Sequence, residues 1–176
     1  GIDVKPFHLS RGRLSLEQFL AETERDGPTP AYVVLARRNT LRKVVSSLMM
    51  RRTGRTHLKR TRTEPLAPLR VDVERLELDG ETRPLVDFLA HWDRTLRDLD
   101  AALADRNPLR LCYEEDLETD PLAGYRRACA HLGVEAVPLE ARFARTTARP
   151  PSQLIENLAD VRRALAGTPH EWMLDA

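Results

Sequence analysis

The chain has 176 residues, a length that suits one domain with its own core. Apolar residues make up 41% and charged residues 31%, the balance of a globular domain in water rather than of a disordered chain. Net charge is only +1, which argues against a general nucleic-acid binder, because such domains carry an overall basic excess. Positive charge is instead local: residues 37 to 63 hold ten Lys and Arg and no acidic side chain. Cys112 and Cys129 show no CxxC or Cys/His ligand spacing, so no metal site is expected. Both read as buried thiols of a protein from a reducing cytoplasm. No apolar run approaches the length of a membrane span, and no signal peptide is visible.

Ile2 to Leu9 reads as a short strand. Ser15 and Gln18 form a capping-box pattern that opens a helix running to about Arg25. Gly27, Pro28 and Pro30 stop it. The compact apolar run from Ala31 to Ala36 predicts a strand buried on both faces. Asn39 or Thr40 then caps a helix whose apolar positions are Leu41, Val44, Val45, Leu48 and Met49. Gly54 ends that helix, and a basic, threonine-rich surface loop follows. Arg70 to Leu78 alternates imperfectly and reads as extended. Pro84 to Ala104 carries the longest helical stripe, with Leu85, Phe88, Leu89, Trp92, Leu96 and Leu99. Pro108 to Tyr113 predicts a second buried strand. Asp120 and Pro121 mark a helix start, Gly133 its end, and Leu154 to Ala166 the last helix.

Strands alternating with helices argue for an α/β fold, a parallel sheet flanked by helices, in a single domain over residues 1–176. In such sheets ligands bind beyond the carboxyl ends of the strands. That rule selects His8, the segment Arg37 to Asn39, and Tyr113 to Glu115. A guanidinium grips a phosphate or sulfate through two parallel hydrogen bonds, and a hydroxyl adds a third. Arg38, with Ser46 eight residues on, therefore reads as an anion clamp at a strand-to-helix junction. The bland alternative is that Arg37, Arg38, Arg42 and Lys43 form a solvated helix face.

Arg38-Asn39 followed by Ser46 resembles the sulfotransferases that use 3′-phosphoadenosine 5′-phosphosulfate (PAPS), in which an Arg and a Ser at this spacing hold the cofactor's 3′-phosphate. A second stretch, from Leu111 through Tyr113, Glu114, Glu115, Asp116 and Leu117 to Asp120-Pro121 and His131 to Val134, is similar to the family's Tyr-Glu-Asp-Leu segment. It carries one extra Glu, and His131 stands where the family has Phe. A third, from Ile155 to Thr168, looks like the C-terminal helix of bacterial, trehalose-sulfating members. Arg51 to His57 resembles the basic Thr-Gly stretch of that group. The resemblance spans roughly residues 31 to 168. It implies a P-loop-kinase-like sulfotransferase fold and a bacterial, cytoplasmic enzyme. The expected cofactor is PAPS, with 3′,5′-adenosine bisphosphate as product and no metal. The implied acceptor is a small molecule, a sugar or a lipid; no nucleic acid or membrane partner is implied.

Within that resemblance Arg38 and Ser46 bind the 3′-phosphate, Tyr113 lies by the adenosine, and Arg149 covers the 3′-phosphate from the C-terminal side. His8 in Lys5-Pro6-Phe7-His8 occupies a place comparable to the base of cytosolic members; other members use a glutamate from a region this chain lacks. His57 faces either the acceptor or solvent. The family's Ser/Gly/Thr loop for the phosphosulfate is not found. The chain therefore reads as the larger C-terminal portion of such an enzyme, with that loop and its strand missing. The alternative is a non-catalytic α/β module that grips a polyanion with residues 37–62, and a nucleotide-kinase relative is a third reading.

Overall fold

A computed structural model describes residues 2–5, 8–9, 12–25, 27–54, 58–59, 67–140, 143–144 and 149–175. The elements in chain order are α1 (Leu16–Arg25), β1 (Val33–Ala36), α2 (Thr40–Thr53), β2 (Leu58–Lys59), β3 (Leu76–Leu78), β4 (Glu81–Arg83), α3 (Leu85–Ala102), β5 (Leu109–Cys112), α4 (Pro121–Leu132), β6 (Phe143–Ala144), α5 (Pro151–Leu154) and α6 (Leu158–Leu165). Single turns of 3-10 helix lie at Ala104–Arg106 and Glu171–Leu174, and a π-helical turn at Tyr113–Leu117. The architecture is α/β with a small parallel sheet of two strands flanked by helices. Two short antiparallel pairs, β2 with β6 and β3 with β4, complete the strands. The chain divides into two units, residues 1–36 with 93–137 and residues 37–92 with 138–176.

The first unit holds the parallel pair. Its register sets Val33 opposite Leu109 and Ala36 opposite Cys112, so both strands end at the same edge. The capping box forms as the sequence predicts: Ser15 Oγ accepts from the Gln18 N–H at 3.1 Å, and Gln18 Oε1 accepts from the Ser15 N–H at 2.8 Å. At the far end of α1, Glu24 binds Arg106 and the Tyr32 hydroxyl. That ties α1 to the entrances of both strands, since the Leu109 N–H also donates to the Tyr32 carbonyl at 2.9 Å.

Two expectations fail in this unit. Residues 2–5 form no strand, and His8 and Leu9 have helical backbone. The His8 N–H donates to the Lys5 carbonyl at 2.8 Å and the Gly12 N–H to the His8 carbonyl at 3.0 Å, so local turns satisfy the backbone without a ladder. Nor is β1 buried on both faces: Val33 and Leu35 are 42% and 53% exposed. An unbroken apolar run says that a strand is wanted in a core, not that both faces are covered.

The second unit encloses the main core. Leu41, Val44, Val45 and Met49 of α2 pack with Leu76 and Leu78 of β3, with Leu85, Phe88 and Leu89 of α3, and with Val161 and Leu165 of α6. Each of these α2 side chains contributes roughly 1.5–3 kcal/mol through burial, against about 1 kcal/mol for a helix cap. Packing therefore holds α2 in place, and the cap decides where it starts. Gly54, at φ +65°, closes its C-terminus with an N–H donated to the Met50 carbonyl at 2.8 Å. Arg70 to Leu78 becomes a strand only at Leu76–Leu78, which turns back through Asp79 and Gly80, both at positive φ.

The last predicted helix is broken. Ile155 leaves the helix to bridge Leu69, with the Leu69 N–H on the Leu154 carbonyl and the Glu156 N–H on the Leu69 carbonyl, each at 2.8 Å. Asn157 then holds Val71 by both its backbone groups at 2.9 Å. These long-range bonds outweigh the helical preference of three residues.

Candidate anion-binding site

The chain leaves β1 at Ala36 and enters α2 at Thr40, so Arg37, Arg38 and Asn39 form the whole connection. Asn39 is the N-cap: its Oδ1 accepts from the Arg42 N–H at 3.0 Å. The start of a helix carries a partial positive charge, and Arg38, exposed immediately before it, has the same sign. Ser46 lies half-buried in the second turn. Arg42 and Ser46 lie four residues apart on one face of α2, and Arg38 precedes the N-cap. Ser46 Cα lies about 9 Å along the axis from the start of α2, so one anion reaches both groups only if the long Arg38 side chain folds back along the helix.

Arg42 is only 8% exposed, so the alternative in which Arg37, Arg38, Arg42 and Lys43 form a solvated face does not hold for it; its four-residue spacing to Ser46 was the available signal. Other members of the basic block are committed to the fold. Arg51 pairs with Glu77 at 3.2 Å, and Arg52 donates to the carbonyls of Ala67 and Pro68. Lys43 stands over the Trp92 ring, 2.9 Å from its centroid, and 3.9 Å from Asp79. His57 and most of the basic loop lie outside the described residues.

Tyr113 follows β5 as Arg37 follows β1. It opens the π-helical turn, closed by the Glu118 N–H donating to the Tyr113 carbonyl at 2.8 Å. Asp116 fixes that turn to the strand end. Its Oδ2 accepts from the Cys112 N–H at 2.6 Å, and Oδ1 accepts from Arg127 of α4. The backbone N–H first, and Arg127 after it, hold the Asp116 carboxyl below the ordinary carboxylate range. Asp120 caps α4 through the Leu122 N–H at 3.0 Å, and Gly133 ends it at φ +67°. Tyr113 belongs to the first unit, and Arg38, Ser46 and Arg149 to the second. Arg149 is half-buried at the bend before α5.

His8 does not sit at a strand end: it has helical backbone, and its Nδ1 accepts from the Lys5 N–H at 3.2 Å.

A depression of about 370 Å³ lies between α1 and the end of α3, lined by Glu17, Glu24 and Asp98 with Leu20 and Arg106. It shares no residue with the clamp, and its acidic lining opposes an anionic ligand. Cys112 is half-buried, Cys129 is buried, and both are free thiols. Among the described residues no group of three or more His, Cys, Asp or Glu is set to hold a metal, and no helix is long and apolar enough to cross a membrane. Comparison with family models, curated proteins and solved structures finds no match.

Proposed function

We propose that the chain carries the 3′-phosphate half of the nucleotide site of a PAPS-dependent sulfotransferase with a P-loop-kinase-like sheet. The observation that carries the reading is the junction from Arg37 to Ser46. A parallel strand ends, an Asn-capped helix begins after three connecting residues, and Arg38 and Ser46 frame its first two turns. The segment from Tyr113 to Leu117 carries one residue more than the family's and forms a π-helical turn.

PAPS supplies an activated sulfuryl group for transfer to an acceptor hydroxyl. Arg38 gives the 3′-phosphate two parallel charge-assisted bonds and Ser46 a hydroxyl; by the resemblance, Tyr113 is the candidate for the adenine. Arg149 is the C-terminal cation candidate for the same phosphate. The residues fit this end of the cofactor; no small-residue cradle in the chain fits the phosphosulfate end. The acceptor is a small molecule, sugar or lipid, the enzyme is of the bacterial cytoplasmic type, and His8 is the candidate base.

Calorimetry with 3′,5′-adenosine bisphosphate is the test. The chain saturates with one equivalent and binds 5′-adenosine monophosphate far more weakly. Arg38→Ala weakens the bisphosphate by on the order of 100-fold, the value of a charged bidentate contact. Unchanged affinity in that variant removes the assignment. An affinity for mixed-sequence oligonucleotides that falls steeply with salt would favour the polyanion module instead. The engagement of Lys43, Arg51 and Arg52 within the fold counts against that module.

A further inference from the structure

We infer that Asn39 is a positioning residue which couples the C-terminal turn, Glu171–Leu174, to the anion clamp; the inference rests on the proposed function of Arg38. Asn39 is 2% exposed and uses both ends of its amide. Oδ1 accepts from the Arg42 N–H at 3.0 Å, and Nδ2 donates to the Met173 carbonyl at 2.8 Å, across 134 residues of sequence. The neighbouring Thr40 hydroxyl reaches the Met173 sulfur at 3.5 Å, and the Thr40 N–H binds the Arg38 carbonyl at 3.1 Å.

Capping alone does not require Asn. Asp and Ser cap as well or nearly so, and neither can donate an N–H to a carbonyl. The donor end is therefore the informative one. Its acceptor is held as firmly as the cap. Met173 and Leu174 are buried in the core, the Met173 N–H binds the His170 carbonyl at 3.0 Å, and the Gly167 N–H binds Glu171 at 3.0 Å. The turn that carries Arg38 is thus fixed from the far end of the chain, through a buried bond that water cannot replace. The backbone anchor of Arg38 limits where its guanidinium can reach.

Coupling is reciprocal, which gives one test by mutation and one without it. Asn39→Asp keeps the cap acceptor and removes the donor; Asn39→Ser keeps an uncharged cap acceptor on a side chain one bond shorter, whose single oxygen at the Arg42 N–H falls short of the Met173 carbonyl. Each is expected to lower the preference for 3′,5′-adenosine bisphosphate over 5′-adenosine monophosphate by about tenfold, the factor for one hydrogen bond of ordinary strength. Val161→Ala, a core truncation elsewhere in the same unit, lowers the melting temperature and leaves that preference unchanged. In the wild-type chain, added bisphosphate slows amide exchange at Arg42 and at Met173–Leu174 together. If Asn39→Asp keeps the wild-type preference, or if the bisphosphate protects Arg42 without the C-terminal turn, the coupling is overturned while the clamp stands. Should the wild-type chain not prefer the bisphosphate at all, the coupling falls together with the proposed function. The exchange experiment needs no variant, so poor folding of Asn39 variants does not shield the inference.

Discussion

Residues 37–92 with 138–176 and residues 1–36 with 93–137 solve the burial problem differently. The former close a core in which α2, β3, α3 and α6 bury Leu41, Val45, Leu78, Leu89 and Leu165 completely or nearly so. The latter hold a two-stranded parallel sheet with Val33 and Leu35 open on one face, although parallel sheets ordinarily have both faces covered. The lesson concerns recognition. The clamp's helix belongs to the well-packed unit, and the strand that delivers the chain to it belongs to the sparsely covered one.

Paired truncations test that contrast with the largest expected effect. Leu89→Ala should cost about 2–5 kcal/mol in a urea melt, as buried leucines do. Leu35→Ala should stay within about 0.5 kcal/mol, as exposed side chains do. A comparable cost at Leu35 would mean that its face is covered in solution, and the contrast between the units would then disappear.

A smaller effect tells whether the two units unfold together. Gly54 and Gly133 both end helices at positive φ, +65° and +67°, and a Cβ at either would meet nothing within 4 Å. Alanine at each position costs only the left-handed backbone, about 1 kcal/mol. If the units form one cooperative whole, Gly54→Ala and Gly133→Ala lower the same thermal transition by about 2–4 °C each. If they melt separately, calorimetry shows two transitions and each variant moves only its own.

The helix ends were legible in the sequence because their chemistry is local. Asn39, Gly54, Asp120 and Gly133 all stop or start helices where their side chains, or the lack of one, dictate. The Asp79-Gly80 turn was equally local, a hairpin signal set between two short strands of imperfect alternation. Other features have no local cause. The break at Ile155 comes from Leu69 and Val71, the employment of Arg51 and Arg52 from Glu77, Ala67 and Pro68, and the tie at Asn39 from Met173. A basic cluster in a sequence looks alike whether its charges face solvent, ligand or carbonyls. Of the site residues, the order Arg38, Asn39, Ser46 was readable as spacing; the burial of Arg42 between them depends on the packing of the whole unit.

The smallest expected effect concerns Glu24, and its sign follows from its neighbours. Arg106 donates Nε at 2.5 Å and Nη2 at 3.0 Å, and the Tyr32 hydroxyl donates at 2.8 Å. Arg106 first, then Tyr32, lower the carboxyl from its ordinary value of 4.5 to about 2. A lowered carboxylate stabilises the folded chain fully above its unfolded value and loses that contribution as pH falls through the folded one. The relevant window therefore runs from pH 4.5 down to about 2. The pair is partly open to solvent, with side chains 30% and 34% exposed, so screening keeps its effect modest. Glu24→Gln should melt below wild type at pH 6, and the gap should close as pH approaches 2. A gap that stays constant over that range would show that Glu24 acts by shape rather than charge. The parallel sheet would then be held at its Tyr32 end by packing, as the other unit is held throughout.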